Sequence, residues 1–276
     1  MNRCYDAPRQ QHHLQVAQLL EAGTTATAYC AWALWMLGYP DQALERGRQT
    51  LALLEQSEHP YTQSRSLYWN TILHEFRQEW AIVDERATRA MKSADEHGFS
   101  LVLAAGQIMQ GAAMAATGQG KAGLQQMRDG LHAYQDKGGL FQRTHHLAMF
   151  AKALNAEGFP EEGLEALQDA ANLVEATGEH YYEAEIHRLK GELLLTASPQ
   201  AVTQAEACFH QALDVARYQE AKSLELRAAT SLTRLWRQQD KNHEARELLA
   251  LVYNWFTEGF DTADLKDAKV LLSELT

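Results

Sequence analysis

The sequence predicts an all-helical solenoid: about six helix hairpins wound into a right-handed superhelix and closed by a C-terminal capping helix. Three observations carry this reading. Small residues recur at two points of a 40-residue period, related glycine-containing strings mark the turns between helices, and apolar residues recur every three or four positions without strand-like alternation.

The turns are the plainest signal. GYPDQAL from Gly38, GQGKAGL from Gly118 and GFPEEGL from Gly158 each place a glycine at the end of one helix and a polar start on the next. Five residues past each turn a small side chain stands at Ala43, Val83, Gly123, Gly163, Ala205 and Ala245, in steps of 40, 40, 40, 42 and 40. A second column, at Ala31, Thr71, Gly111, Ala151, Gly191 and Thr233, follows the same period. Two helices that cross closely need small residues where their ridges meet, so the columns mark the crossing points.

Between the columns the spacing is helical, as in Leu124, Met127, Leu131 and Tyr134. Residues 24–261 therefore read as six helix pairs, and 1–23 as a segment that fits no repeat. From Thr262 to residue 276, TADLKDAKVLLSEL reads as one amphipathic capping helix with a Thr/Asp start. A single hairpin cannot cover its own apolar face, so each unit is expected to shelter the next, with stability arising between nearest neighbours.

Composition narrows the function. Lys plus Arg number 25 against 36 Asp plus Glu, and a net charge of −11 repels nucleic-acid phosphates. Cys4, Cys30 and Cys208 lack the spacing of a disulfide framework or zinc site, which suggests a reduced cytoplasmic setting. Neither a signal peptide nor an apolar stretch of membrane-spanning length is visible, so no membrane partner is expected.

Several motifs imitate chemistry. Gly118, Gly120 and Gly123 satisfy GxGxxG, but the preceding LVLAAGQIMQGAAMAAT reads as a helix where a dinucleotide site needs a strand. Lys121 is followed by Ala122, where a P-loop needs Ser or Thr. The adjacent pairs His12/His13 and His145/His146 point about 100° apart on a helix and do not converge on one ion, so the histidines read as surface or groove residues. Carboxylates such as Glu161/Glu162 and Glu183/Glu185 sit where acidic residues favour helix starts or solvated faces. No catalytic residue, cofactor site or metal site is expected.

The repeat resembles the tetratricopeptide repeat, lengthened by about six residues over the usual ~34 and without its common closing proline. The strings AYCAWALWMLGYPDQAL, EAEIHRLKGELLL, EACFHQALDVARYQEAKSLELRAATSLTRLW and WFTEGFDTADLKDAKVLLSEL are similar to the C-terminal repeat region of bacterial class III adenylate/guanylate cyclase-like proteins that carry an ATPase module. That similarity covers roughly residues 28–276 and implies a regulatory or sensory module of a signalling ATPase or cyclase. With neither a P-loop nor a cyclase domain in the chain, it transfers no catalytic residue.

Resemblance to tetratricopeptide stacks also implies a groove. The first helix of each pair lines the concave surface, with side chains one and four residues after its column residue, and three before it, pointing inward. This selects Trp32, Trp35 and Tyr68 at an aromatic end and Ala112 and Ala115 on a small-residue floor. It adds Lys152 and Asn155, then Arg188, Arg234 and Arg237 toward a basic end that also contains Arg227. Arginine forks suit carboxylates, so the expected partner is a protein or peptide, with an acidic or C-terminal segment as the sharper form. Two alternatives stay open: Glu185, Glu192 and Glu225 could make the arginines a salt-bridged face, and the aromatic end could enclose a small effector that changes the curvature.

Overall fold

The computed structural model describes residues 7–55, 57 and 59–275, with side chains from residue 20 onward. Every regular element among them is a helix. Six hairpins follow in order: α1 (Ala7–Met36) with α2 (Pro40–Leu54), α3 (Pro60–Phe76) with α4 (Trp80–His97), and α5 (Ser100–Ala116) with α6 (Gly120–Asp136). They continue with α7 (Arg143–Ala156) and α8 (Pro160–Thr177), α9 (Glu183–Ala197) and α10 (Val202–Tyr218), and α11 (Lys222–Gln238) and α12 (Asn242–Tyr253). A single helix, α13 (Ala263–Glu274), ends the chain. Among the described residues no helix is long and apolar enough to cross a membrane.

The turns explain why the helices stop where they do. Gly38 takes φ of 90°, which costs a residue without Cβ nothing, and its N–H reaches Trp35 O while Tyr39 N reaches Leu34 O at 2.8 Å. Left-handed residues recur at Gln78, Gly98, Gly118, Gly138, Gly158 and Gly178 in multiples of 20 from Gly38, and at Glu220 and Asp240 two residues beyond that register. Pro40, Pro60 and Pro160 open the following helices at a position where the missing N–H has no intrahelical partner to lose.

Both columns of small residues are buried, and they meet each other. A Cβ added to Gly111 would lie 2.7 Å from the carbonyl oxygen of Gly123, and Thr233 Oγ1 donates to Ala245 O at 3.2 Å. The crossing points of the hairpins are therefore backbone on backbone. Helix α3 buries 13 of its 17 residues and α4 only 4 of 18, which makes the first helix of the pair the inner layer.

The winding brings distant units into contact. Ser223 Oγ, at the start of α11, donates to Trp35 O at the end of α1 (2.5 Å), and Arg227 Nη2 donates to Phe76 O at the end of α3 (2.7 Å). The loop between α12 and α13 lies on the first turn, where Trp255 packs against Tyr39 with ring centroids 5.5 Å apart. Purely nearest-neighbour stacking is thus corrected: six long hairpins complete a full superhelical turn, and the sixth lands on the first and second.

Two smaller expectations change. Helix α1 runs unbroken from Ala7 through residue 23, so residues 7–23 of the N-terminal segment belong to the first inner helix. Thr262 holds the extended conformation of an N-cap, but its hydroxyl donates back to Gly259 O (2.7 Å) and leaves α13 without a side-chain cap. Leu265, Ala268 and Leu271 still seal that helix into the apolar cluster built from α10 to α13.

Candidate functional site

The inner helices turn one stripe of side chains toward the superhelix axis, at positions three before and one and four after each column residue. The stripe extends one turn further back, to His145, Glu185 and Arg227, six residues before Ala151, Gly191 and Thr233. This spacing of three and four is one helical face, and the axis is where these faces converge.

At the N-terminal units the stripe is filled. Trp35 stacks on Phe76 at 4.8 Å between centroids, with the Arg227 guanidinium 4.8 Å over its ring. Trp32 Nε1 donates to Trp69 O (3.1 Å), and Tyr68 hydroxyl donates to Gln142 Oε1 (2.7 Å) and meets His146 Nε2 (2.8 Å). Trp32, Trp35 and Tyr68 are therefore core residues and not the lining of an open groove, because later units pack onto the surface they face. The histidines also need correction: His74, His145 and His146 are buried, with His145 Nε2 at 2.9 Å from Glu75 and His74 against Glu79. The side chains of His12 and His13, and Cys4, lie outside the described residues; Cys30 and Cys208 are free thiols.

The arginines expected at a basic end are each matched by acid. Arg188 grips Glu185 with two hydrogen bonds of 2.8 Å, donates to Ser231 at 3.0 Å and pairs with Glu192. Arg227 meets Asp264 of α13 at 2.9 Å and Glu185 at 3.5 Å, Arg234 meets Asp267 at 2.5 Å, and Arg237 pairs with Glu274. Burial pushes the Glu185 carboxyl up, and Arg188 and Arg227 overcome it and hold it at about 2. Burial also pulls both guanidinia down, and their carboxylate partners, led by Glu185 for Arg188 and Asp264 for Arg227, more than reverse it. Glu185 thus sits in a buried ion network and not on the solvated helix start expected of it.

Beside this network lies a polar cleft of about 190 Å³ walled by Arg188, Arg227 and Arg234 with their carboxylates, and Lys152 stands at its edge. On the other side of Lys152 is a mostly apolar hollow of about 80 Å³, floored by Ala112, Ala115, Ala116, Ala153 and Ala156, with Met149 and Trp80 on its walls and Glu75, paired with His145, also lining it. The repeat explains it. Where unit one has Trp32, Trp35 and Met36 and unit two has Ile72, Glu75 and Phe76, unit three has three alanines at 112, 115 and 116. The axis is filled by large side chains where units one, two and six meet and left open at units three and four.

Lys152 is different from the arginines. It forms no hydrogen bond or direct ion pair among the described residues, and its ammonium lies 5.7 Å from the centroid of the Trp80 ring. Asn155, one turn on, has a buried Oδ1 that accepts no hydrogen bond there. Site residues predicted in sequence thus divide: Lys152 borders both cavities, Arg188, Arg227 and Arg234 wall the polar one, and Trp32, Trp35 and Tyr68 belong to neither. Glu185 and Asp264, which set the charge of the cleft, were missed as site residues. The Glu185/Arg188/Glu192 spacing of three and four was the trace of Glu185, which entered only as a salt-bridge partner of the arginines, and Asp264 left none. A larger groove of about 640 Å³ between α4 and α6 is open, and polar side chains on its floor already pair with one another, as Gln110 does with Thr88 and Gln126.

No family model matches the chain. It is 26% identical over 208 residues, 74% of its length, to an uncharacterized protein of Rhizobium meliloti (strain 1021), and it spans only about a fifth (20%) of that relative. A solved structure of a Rap protein complexed with competence and sporulation factor superposes with a TM-score of 0.62 at 12% identity, covering 92% of this chain and 80% of that one. The TPR2AB domain of yeast Sti1 in complex with pHSP90 covers 95% of this chain and 98% of its own at a TM-score of 0.37 and 11% identity. The fold is a tetratricopeptide-like α-solenoid.

Proposed function

We propose that the chain is a non-catalytic scaffold that binds a protein or peptide, and that it reads its ligand at Lys152. The observation that carries this is the Lys152 ammonium, which makes no hydrogen bond or direct ion pair among the described residues, between the hollow and a cleft whose three arginines each have a carboxylate in contact. A half-buried cation with Glu185 only at longer range and no direct ion pair favours an incoming carboxylate, and the alanine-lined hollow takes an apolar side chain beside it. An acidic or C-terminal segment offers both groups together. The Rap protein that shares the fold is complexed with a factor, which supports a ligand-binding role for this architecture without naming the ligand here.

We further propose that the module is regulatory or sensory, belonging to a bacterial signalling protein with an ATPase or nucleotide-cyclase part, in the cytoplasm. Support comes from the sequence resemblance to cyclase-like repeat regions and from the much greater length of the Rhizobium relative. A second reading, a small effector in the hollow, is favoured by the apolar lining. It predicts thermal stabilisation by an apolar compound that Ala115→Trp abolishes.

The test is selection of displayed random linear peptides with free C-termini against the wild-type protein and Lys152→Glu. Enrichment of carboxylate-bearing sequences on wild type alone supports the reading; equal enrichment on both proteins removes Lys152 from it.

A further inference from the structure

The superhelix contacts itself by a repeated rule: the first turns of a later helix rest on the last turns of earlier inner helices. Helix α11 is seated over α1 and α3, where Ser223 and Arg227, one turn apart, donate to Trp35 O and Phe76 O. Helix α13 comes next along the spiral, and its first-turn Asp264 accepts from Gln78 in the turn after α3 (2.7 Å). Two units on from Trp35 and Phe76 are Ala115 and Ala156, at the ends of α5 and α7, and these line the hollow. The hollow is therefore the next seat in the series, and no described helix takes it.

On this ground, and resting on the binding role argued above, we propose that the hollow receives a helix of a partner polypeptide, end-on, by its first turns. Such a helix places one Leu- or Met-sized side chain in the hollow and an Asp or Glu one turn away on Lys152.

The chemistry of the occupant follows from how the seat differs from the one α11 fills. There the inner helices bring their own bulk, Trp35 and Phe76; here they bring Ala115 and Ala156, so the arriving helix supplies the apolar volume. There the arriving helix brings a cation, Arg227, which is met by Asp264 and Glu185; here the cation, Lys152, is already in place and the carboxylate that lines the hollow, Glu75, is held by His145, so the arriving helix brings the acid. Carboxylates also favour the first turn of a helix, where the N–H groups are unpaired, so an acid at that point stabilises the helix that carries it. A helix is preferred over an extended strand because residues four apart stand only about 6 Å apart along a helix but about 13 Å apart along a strand, and Lys152 borders the hollow itself; four is also the spacing with which α11 reaches its two carbonyls.

The experiment selects two displayed libraries in parallel on the intact chain: peptides on a rigid helical scaffold, and unconstrained linear peptides. The expected result is that the helical library enriches sequences with Asp or Glu three or four positions from Leu, Met or Phe. Fluorescence polarisation then shows these binders losing at least about tenfold in affinity to both Lys152→Glu and Ala115→Trp. The surface variant Lys152→Glu keeps the test valid if Ala115→Trp does not fold. Enrichment of linear peptides alone overturns the helical occupant and leaves the peptide-binding role standing. Helical binders indifferent to both variants overturn the seat, and failure of both libraries overturns both proposals.

Discussion

Glu258 and Asp41 cap each other's chain across 217 residues. Glu258 Oε1 accepts the backbone N–H of Asp41 at 3.0 Å and of Gln42 at 3.1 Å, while Asp41 Oδ2 accepts the N–H of Gly259 at 3.0 Å. Helix α2 has Tyr39 at its N-cap position and no local side-chain cap, so the last loop of the protein satisfies the first turn of its second helix.

Replacing Glu258 with Ala removes that cap and is expected to cost about 1 kcal/mol. Chemical denaturation measures the loss. Hydrogen exchange locates it, through faster exchange at Asp41 and Gln42 with little change in α5 to α8. Uniformly faster exchange would mean that the two carboxylates do not act as a local latch.

Gly123→Ala is expected to destabilise by roughly 3 kcal/mol. An added Cβ there lies 2.6 Å from Ala115 N and closer still to Gly111 O, and both are backbone atoms that cannot rotate away. The same change at Gly98, where a Cβ meets nothing within 4 Å, costs only what its φ of 75° imposes on alanine. Thermal melts of the two variants separate packing from backbone conformation.

Acid weakens the fold in two steps. Burial, and then neighbouring His145, holds His146 well below its ordinary 6.5; the unfolded chain binds a proton that the native state refuses, so stability present above about pH 6.5 falls as pH drops below it. Glu185, depressed from 4.5 to about 2, contributes stability that is complete above about 4.5 and lost toward pH 2. Denaturation midpoints measured across pH should show both slopes. His146→Gln should make only the upper one shallower, because His74 and His187, whose burial also lowers them, keep part of it.

Arg234→Glu and Arg237→Glu are expected to change stability by no more than about 1 kcal/mol each, since both pairs are half exposed and screened. Peptides selected on the wild-type protein should bind these variants within about threefold of the original affinity, while Lys152→Glu releases them. Loss of binding at Arg234 or Arg237 would return the contact surface to the C-terminal arginines.

The hairpins could be read from sequence because their signals are local: a turn residue, a small crossing residue and a period of 40 all lie within one unit. The direction of Lys152 could be read the same way. What lies opposite an inward side chain could not, because that depends on how far the superhelix winds. Trp35 points to the axis as expected, yet Ser223 of α11 and Phe76 of α3 are already there. Arg227 has no acidic partner from its own helix; Asp264 and Glu185 reach it from α13 and α9, 37 and 42 residues away in sequence, and no periodicity announces that meeting.

The contact between the last loop and the first turn has a mechanical side. A coil fastened to its own beginning does not lengthen like a spring. Tension between α1 and α13 falls first on Glu258, Asp41, the tilted pair Tyr39 and Trp255, and the contacts of α11 and α13 with Trp35, Phe76 and Gln78, and only after these part do the hairpins begin to bear load. Extension under force should therefore start with one short, abrupt step at the fastening and continue as a softer stretch of the opened winding.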